Sequence, residues 1–297
     1  MAGIVVVGSI NVDLLLPCER IPRPGETLHA HGRSLVPGGK GANQALAASR
    51  LGAPVALVGA VGEDHMGDDA LVLLADAGVD LAHVRRVPGA TGIAIVAVAD
   101  SGENAILIES GANRTVDADA VASASAVVGS AGVVVLQGEI PREGIEAAAA
   151  LCRGRLVVNL APVVPVSLEV LRRADPLVVN EHEGMAALRL FGEHAHGDHA
   201  VVGALVEAGV PSVVLTRGAK GALVGVPGST VSVPSPAVEV VDTTGAGDAF
   251  VGALATRLLA GDDLVEAATF AARVGAHACT GRGAQPSYPW ADSPLPG

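Results

Sequence analysis

Residues 133–160 read VVVLQGEIPREGIEAAAALCRGRLVVNL. An apolar, β-branched run (Val133–Gln137) ends at Gly138, an Ala-rich segment follows Pro141, and a second β-branched run spans Leu156–Leu160. This is the pattern of a buried strand, a helix and another buried strand. Working outward, apolar runs at Leu177–Val179 and Val213–Leu215 repeat it, each expected to lead into a helix. Toward the amino terminus, Ile4–Val7 reads as a first buried strand ended by Gly8. Ala42–Leu51 reads as a helix, Val55–Val58 as a strand, and Met66–Ala77 as a helix closed by Gly78. Such alternation implies an α/β fold with a mainly parallel sheet covered by helices on both faces.

Two extended interruptions break the alternation. Residues 12–36 carry Pro17, Pro22, Pro24 and Gly25, which suits short strands and turns. Thr91–Ala99 and Ala105–Glu109 form a predicted hairpin across the turn-like Asp100–Asn104. Together the segments near 12–36 and 91–109 are expected to form a small β-sheet lid. A second extended pair, Ala222–Val226 and Thr230–Val233, flanks Pro227-Gly228, and helices are expected from Gly245 and from Asp263. No internal repeat interrupts residues 1–297, which read as one α/β domain with a lid.

Composition narrows the function classes. Half of the 297 residues are hydrophobic but only five are aromatic, so the core must be built from Ala, Val, Leu and Ile. A net charge of −12 without a basic cluster argues against nucleic acid or anionic membranes as partners. Cys18, Cys152 and Cys279 are far apart and odd in number, as expected of reduced thiols in a cytoplasmic protein. The opening MAGIVVVGSIN lacks a basic n-region, and its apolar run is too short for a signal peptide. No stretch approaches the ~20 apolar residues that span a bilayer, so a soluble protein is expected.

Three local patterns carry chemistry. In Val240-Val241-Asp242-Thr243-Thr244-Gly245-Ala246-Gly247-Asp248-Ala249-Phe250, extended residues run through glycines into a helix. Backbone N–H groups at such a start attract anions. A carboxylate there either caps the helix or accepts a proton from a hydroxyl attacking phosphorus, and local chemistry leaves both open for Asp248. Pro37-Gly38-Gly39-Lys40-Gly41-Ala42-Asn43-Gln44 joins a glycine turn, a cation and an amide. Lys40 is one of only two lysines among 19 basic residues, the other being Lys220. This is not a Walker A loop, and Gly8-Ser9-Ile10-Asn11 is not GxGxxG. Asn11 and Asp13, two apart in an extended segment, point the same way and could chelate vicinal hydroxyls or form an Asx-turn.

In order along residues 3–290, these motifs resemble those of the ribokinase-like (PfkB) carbohydrate kinase family. Gly38–Gln44 and Asp242–Phe250 resemble its two signatures. Leu136-Gln137-Gly138-Glu139, Asn159-Leu160-Ala161-Pro162, Asn180-Glu181-His182-Glu183, Thr216-Arg217-Gly218 and Gly283-Ala284-Gln285-Pro286-Ser287 fall between or after them in family order. The resemblance implies a central, mainly parallel sheet flanked by helices, with a β-sheet lid often shared across a homodimer. It implies ATP-dependent phosphorylation of a sugar bound by Asn11, Asp13, Gly39, Lys40, Gly41, Asn43 and Glu139, with Asp248 as base. It also implies an anion hole from the N–H groups of Gly245, Ala246 and Gly247. Nucleotide contacts would come from Thr216, Gly218, Gly221 and Gly247, with Asn180 and Glu183 near the phosphates and Mg²⁺. A K⁺ ion would be held by Asp242, Thr244, Ala278, Gly281, Gly283 and Ser287; at Gly281 the family often has a larger residue.

All five aromatics (Phe191, Phe250, Phe270, Tyr288, Trp290) follow residue 190, so the sugar-side half offers no ring to stack on a nucleobase. Ser9-Ile10-Asn11-Val12-Asp13 and Thr91-Gly92 resemble the ribose-specific branch of the family, and that resemblance implies D-ribose phosphorylated at O5. Fructose, deoxyribose or a keto-deoxy sugar are the alternatives, and a non-catalytic sugar sensor a more distant one. His194, His196 and His199 lie in a polar segment, Phe191–Ala200, that reads as a solvated loop rather than a metal site.

Overall fold

The computed structural model describes residues 3–297; Met1 and Ala2, which open the run weighed above as a leader, lie outside the described residues. The chain runs β1 (Ile4–Val7), β2 (Asn11–Cys18), β3 (Ser34–Gly38), α1 (Lys40–Arg50), β4 (Val55–Gly62), α2 (His65–Asp76), β5 (Val84–Val87), β6 (Gly92–Ala99) and β7 (Asn104–Glu109). It continues through α3 (Ala118–Ser123), α4 (Ser125–Ser130), β8 (Val133–Gln137), α5 (Arg142–Leu151), β9 (Arg155–Asn159), α6 (Leu168–Arg173) and β10 (Leu177–Asn180). Then follow α7 (Glu181–Leu190), α8 (Asp198–Glu207), β11 (Val213–Thr216), β12 (Ala222–Val226), β13 (Ser229–Val233), α9 (Ala246–Ala260) and α10 (Leu264–Ala278).

Nine strands form one sheet in the order β13-β12-β11-β10-β9-β8-β1-β4-β5. Pairing is parallel from β11 to β5, and β12 and β13 are antiparallel additions at one edge. Ile4 and Val6 of β1 pack with Leu46, Leu254 and Val274 from α1, α9 and α10. Val5 and Val7 face the opposite cluster, with Val121, Ile145, Leu188 and Leu205. Helices therefore cover both faces, which is why these strands are uniformly apolar rather than alternating. The expected α/β architecture is the one observed.

The lid is a separate four-stranded sheet, β3-β2-β6-β7. β2 leaves the end of β1 and pairs with β3 antiparallel and β6 parallel, and β6 and β7 are the expected hairpin. Asn11 and Asp13 lie on the same face of β2, two residues apart.

The structure departs from the sequence reading in four places. No helix follows β11. A 3₁₀ turn at Gly218–Lys220, closed by Arg217 N–H to the Gly221 carbonyl at 2.7 Å, returns the chain directly as antiparallel β12. An adjacent antiparallel return needs no crossover helix. Strand β5 went unread because Arg85 and Arg86 occupy the middle of a four-residue edge strand. Helix α1 begins at Lys40 rather than Ala42, since Asn43 N–H already closes on the Gly39 carbonyl at 2.8 Å. His194 and His196 are in the loop after α7, but His199 stands on the first turn of α8. Among the described residues no helix is long and apolar enough to cross a membrane.

Candidate active site

The carboxyl ends of β8, β9, β10 and β11 carry Gln137, Asn159, Asn180 and Thr216, each the last residue of its strand. Register pairs Gln137 with Asn159 and Asn180 with Thr216, giving a polar row along the edge where open α/β sheets bind ligands. The amino terminus of α9 is set over this row. Gly245, at φ 75°, caps the helix in the left-handed region that its missing side chain permits. Its carbonyl accepts the Tyr288 hydroxyl at 3.0 Å. Burial holds that phenol well above its ordinary pKa, so it remains a donor.

Asp248 lies in the first turn of α9 and is buried. Its Oδ2 accepts Asn43 Nδ2 and its Oδ1 accepts Gln44 Nε2, both at 2.9 Å. These amides reach it because α1 and α9 pack closely at Gly252, where an added Cβ would stand 2.7 Å from Ala47 Cβ and from the Gln44 carbonyl oxygen. The side chain makes no cap bond to its own helix, so the capping alternative does not describe Asp248. Of the three expected anion-hole amides, Ala246 N–H is engaged with the Thr243 carbonyl at 3.2 Å. The other two, Gly245 and Gly247 N–H, take no protein acceptor among the described residues, and neither does Asp248 N–H, the next donor of the first turn.

The expected sugar-side residues converge beneath the lid. Glu139 Oε2 accepts Ser9 Oγ at 2.6 Å and Lys40 N–H at 3.1 Å, and Lys40 Nζ stands 3.8 Å from Glu139 Oε1. The Lys40 ammonium is held above its ordinary pKa, chiefly by Asp248 and then by Glu139, Glu183 and Asp13, against the opposing effect of burial. Burial, reinforced by the charges of Glu139 and Asp248 and opposed by Lys40, raises the Asp13 carboxyl from 3.8 to about 7. Asn11 accepts Asn113 Nδ2 at 2.7 Å, which leaves its own Nδ2 uncommitted. Gly39 caps α1, and Gly41 N–H bonds Ser9 Oγ at 3.3 Å. A cavity of about 370 Å³ runs between Glu139 and the lid residues Ile108 and Ser110.

On the other side of Asp248 a cavity of about 170 Å³ is lined by Lys40, Asn180, Glu183, Thr216, Gly247 and Asp248. Thr216 and Gly247 also line a larger, mostly apolar cavity of about 540 Å³, with Gly218, Gly221, Phe250 and Ala276. The two therefore meet beside the open amides of α9. Asn180 and Glu183 form a capping box on α7: Glu183 N–H donates to Asn180 Oδ1 at 2.8 Å, and Asn180 N–H to Glu183 Oε2 at 2.9 Å. Burial raises the Glu183 carboxyl, partly offset by the Asn180 N–H bond and by Lys40, while among the described residues no donor bonds its Oε1.

The six residues expected around K⁺ gather before and behind the same turn. Asp242 Oδ1 accepts the N–H and hydroxyl of Thr244 (2.9 and 2.7 Å), and Oδ2 accepts Gly283 N–H at 2.8 Å. Burial raises this carboxyl's pKa, but these bonds outweigh it and hold it below the ordinary value. An added Cβ at Gly281 would stand 2.8 Å from Ser287 Cβ, so those two are neighbours. Ala278, the last residue of α10, accepts Gly281 N–H at 3.5 Å, and Ser287 Oγ donates to the Ala284 carbonyl. Among the described residues no donor faces the carbonyls of Thr244, Gly281 or Gly283.

Sequence reasoning did not assign roles to Gln44, Gln137, Asn159, Gln285, Asn113 or Tyr288, although several stand inside quoted motifs. Gln44 Nε2 also bonds Asn159 Oδ1 at 2.9 Å, Gln137 Nε2 bonds Gln44 Oε1 at 2.7 Å, and Gln285 Nε2 bonds Asn43 Oδ1 at 3.0 Å. Gln137 and Asn159 had one available signal, polarity at the end of a Val- and Leu-rich strand; the other four lie outside the strands and had none.

A buried carboxylate between an apolar cavity with open helix amides and a polar, lid-covered site has the layout of a small-molecule kinase. The model of the pfkB family of carbohydrate kinases matches residues 1–291. The chain is 36% identical over 292 residues to the ribokinase of Haemophilus influenzae, covering 96% of this chain and 95% of that one. It matches the crystal structure of ribokinase from Thermotoga maritima with a TM-score of 0.92 at 31% identity, over 98% of this chain and 97% of that one. Against Arabidopsis thaliana ribokinase complexed with ribose and ATP the TM-score is 0.88 at 34% identity, over 99% and 97%. The chain belongs to the pfkB family of carbohydrate kinases.

Proposed function

We propose that this protein transfers the γ-phosphoryl group of ATP to the O5 hydroxyl of D-ribose, giving D-ribose 5-phosphate and ADP. The observation that carries this is Asp248: a buried carboxylate aimed by two amides, with open helix N–H groups beside it and a cavity against it that Lys40, Asn180 and Glu183 also line. Full-length similarity to ribokinases, including one complexed with ribose and ATP, supports the choice of sugar. So does the lack of any aromatic residue before Phe191, which suits a small polyol better than a nucleoside.

In this reading Asn11, Asp13, Gly39, Lys40, Asn43 and Glu139 hold the ribose hydroxyls. Asp248 takes the O5 proton as oxygen attacks the γ-phosphorus in line, and the N–H groups of Gly247 and its neighbours receive the charge spreading over the phosphoryl oxygens. Thr216, Gly218 and Gly221 lie along the nucleotide, with the adenine in the apolar cavity. Glu183 Oε1, with Asn180 beside it, offers hard oxygens suited to a largely hydrated Mg²⁺, which would neutralise phosphate charge when bound. The carbonyls of Thr244, Ala278, Gly281 and Gly283, with Asp242 and Ser287, are an all-oxygen set that fits K⁺, whose charge would lie behind the anion-binding turn. The free, mostly buried cysteines suit the cytoplasm.

We also assign a homodimer through the lid. Leu35, Leu14, Ile95 and Leu107 are in register across β3, β2, β6 and β7, forming one apolar row on the face opposite Asp13. Leu107 is 69% exposed, and Leu35 and Ile95 are exposed as well. An exposed apolar row across a sheet face calls for a covering surface, and a second lid would supply it symmetrically.

A coupled assay of ATP consumption over ribose, deoxyribose, fructose and adenosine tests the function. Ribose should give the highest kcat/KM; a clear preference for another sugar would move the assignment within the family, and no ribose-dependent turnover would overturn it.

A further inference from the structure

Gln44 is completely buried on an α1 face that is otherwise mostly alanine, leucine and glycine. A buried amide is costly there unless fully bonded, and this one is. Its Nε2 donates to Asp248 Oδ1 and to Asn159 Oδ1, and its Oε1 accepts Gln137 Nε2. The Gln137 bond fixes which way the amide faces, with oxygen toward β8 and NH₂ toward the carboxylate. Asn159 is itself held by its Nδ2 on the Val178 carbonyl at 3.1 Å. On the other carboxylate oxygen the pattern repeats, with Gln285 behind Asn43. Gln137 and Gln285 each use their NH₂ groups in this way.

From this geometry we infer that Gln44, backed by Gln137, is a positioning residue for phosphoryl transfer: it aims the Asp248 carboxylate without touching either substrate. The inference rests on Asp248 being the base, as proposed above. Two neutral donors, one per oxygen, hold the carboxylate plane while adding no cation to compete with Lys40. A base works only within hydrogen-bond reach of the proton it takes. The charged or titratable groups facing Asp248 are Lys40 on α1, Asp13 on β2, Glu183 on α7 and Tyr288 after the last 3₁₀ turn. None of them is bonded to Gln44.

The test is steady-state kinetics for the parent, Gln44→Met and Gln137→Met. Gln44→Met keeps the side-chain length and removes the donor. Its kcat should fall roughly 10- to 100-fold, while KM for ribose and for ATP stays within about threefold of the parent. Gln137→Met should lower kcat by less, again with both KM values held. Parent-like kcat in Gln44→Met, or a loss of kcat matched by an equal rise in KM, would overturn the inference. Should Gln44→Met not fold, Gln137→Met decides on the same two readouts. An active parent with Asp248→Asn inactive and Gln44→Met normal would remove this inference alone, whereas a parent that turns over no sugar would remove the kinase reading and this inference with it.

Discussion

Asp13 carries one of the few titrations that falls within the working pH range. Burial and the neighbouring charges of Glu139 and Asp248 raise its carboxyl to about 7. A raised folded-state value means that its contribution to stability is full below 3.8 and is lost as pH rises through about 7. Sugar hydroxyls donate to the ionised form, so ribose binding should move the other way. Between pH 6 and pH 8 affinity should rise by up to about tenfold, and Asp13→Asn should flatten the profile; calorimetric titration with ribose measures both. Asp248 was legible as a candidate because a carboxylate straight after a glycine turn is a local pattern, and Asp13 because it stands two residues from Asn11 in an extended segment. Gln44 and Gln285 were not, because a neutral amide has no signature and its partner is remote: Gln44 and Asp248 are 204 residues apart, and Gln285 and Asn43 are 242 apart.

At the level of elements, the crossing of α1 and α9 sets the position of Asp248. The added Cβ of Gly252→Ala would press on the Gln44 carbonyl and on Ala47. Overpacking of this kind costs about 1–3 kcal/mol, and here it would also draw Asn43 and Gln44 away from Asp248. Thermal denaturation should show the loss of stability, and kcat should fall while ATP binding persists; an unchanged melting temperature and kcat would show that the helices separate freely. Most elements were readable from periodicity, since buried parallel strands are continuous Val, Ile and Leu runs. Helix α1 was placed late because Lys40-Gly41 looks like loop, and only the Asn43-to-Gly39 bond shows that the helix has begun. The antiparallel turn after β11 was missed because Gly218 and Gly221 read equally well as a loop leading into a helix.

For the whole molecule, the lid joins the proposed sugar site to the proposed dimer surface. One face of β2 presents Asn11 and Asp13 to the site, and the other contributes Leu14 to the exposed apolar row. Leu107→Glu should convert a dimer to a monomer in light scattering and raise KM for ribose several-fold with little change in ATP affinity. A parent that is already monomeric at micromolar concentration would contradict the lid interface. Everything else depends on Asp248 standing between a sugar and a nucleotide. The most direct test is kcat for ribose-dependent ATP consumption by Asp248→Asn, with ribose binding measured on the same preparation. Ribose binding should be retained and kcat should fall by about 10²–10⁴-fold; turnover within a few-fold of the parent would contradict Asp248 as the base.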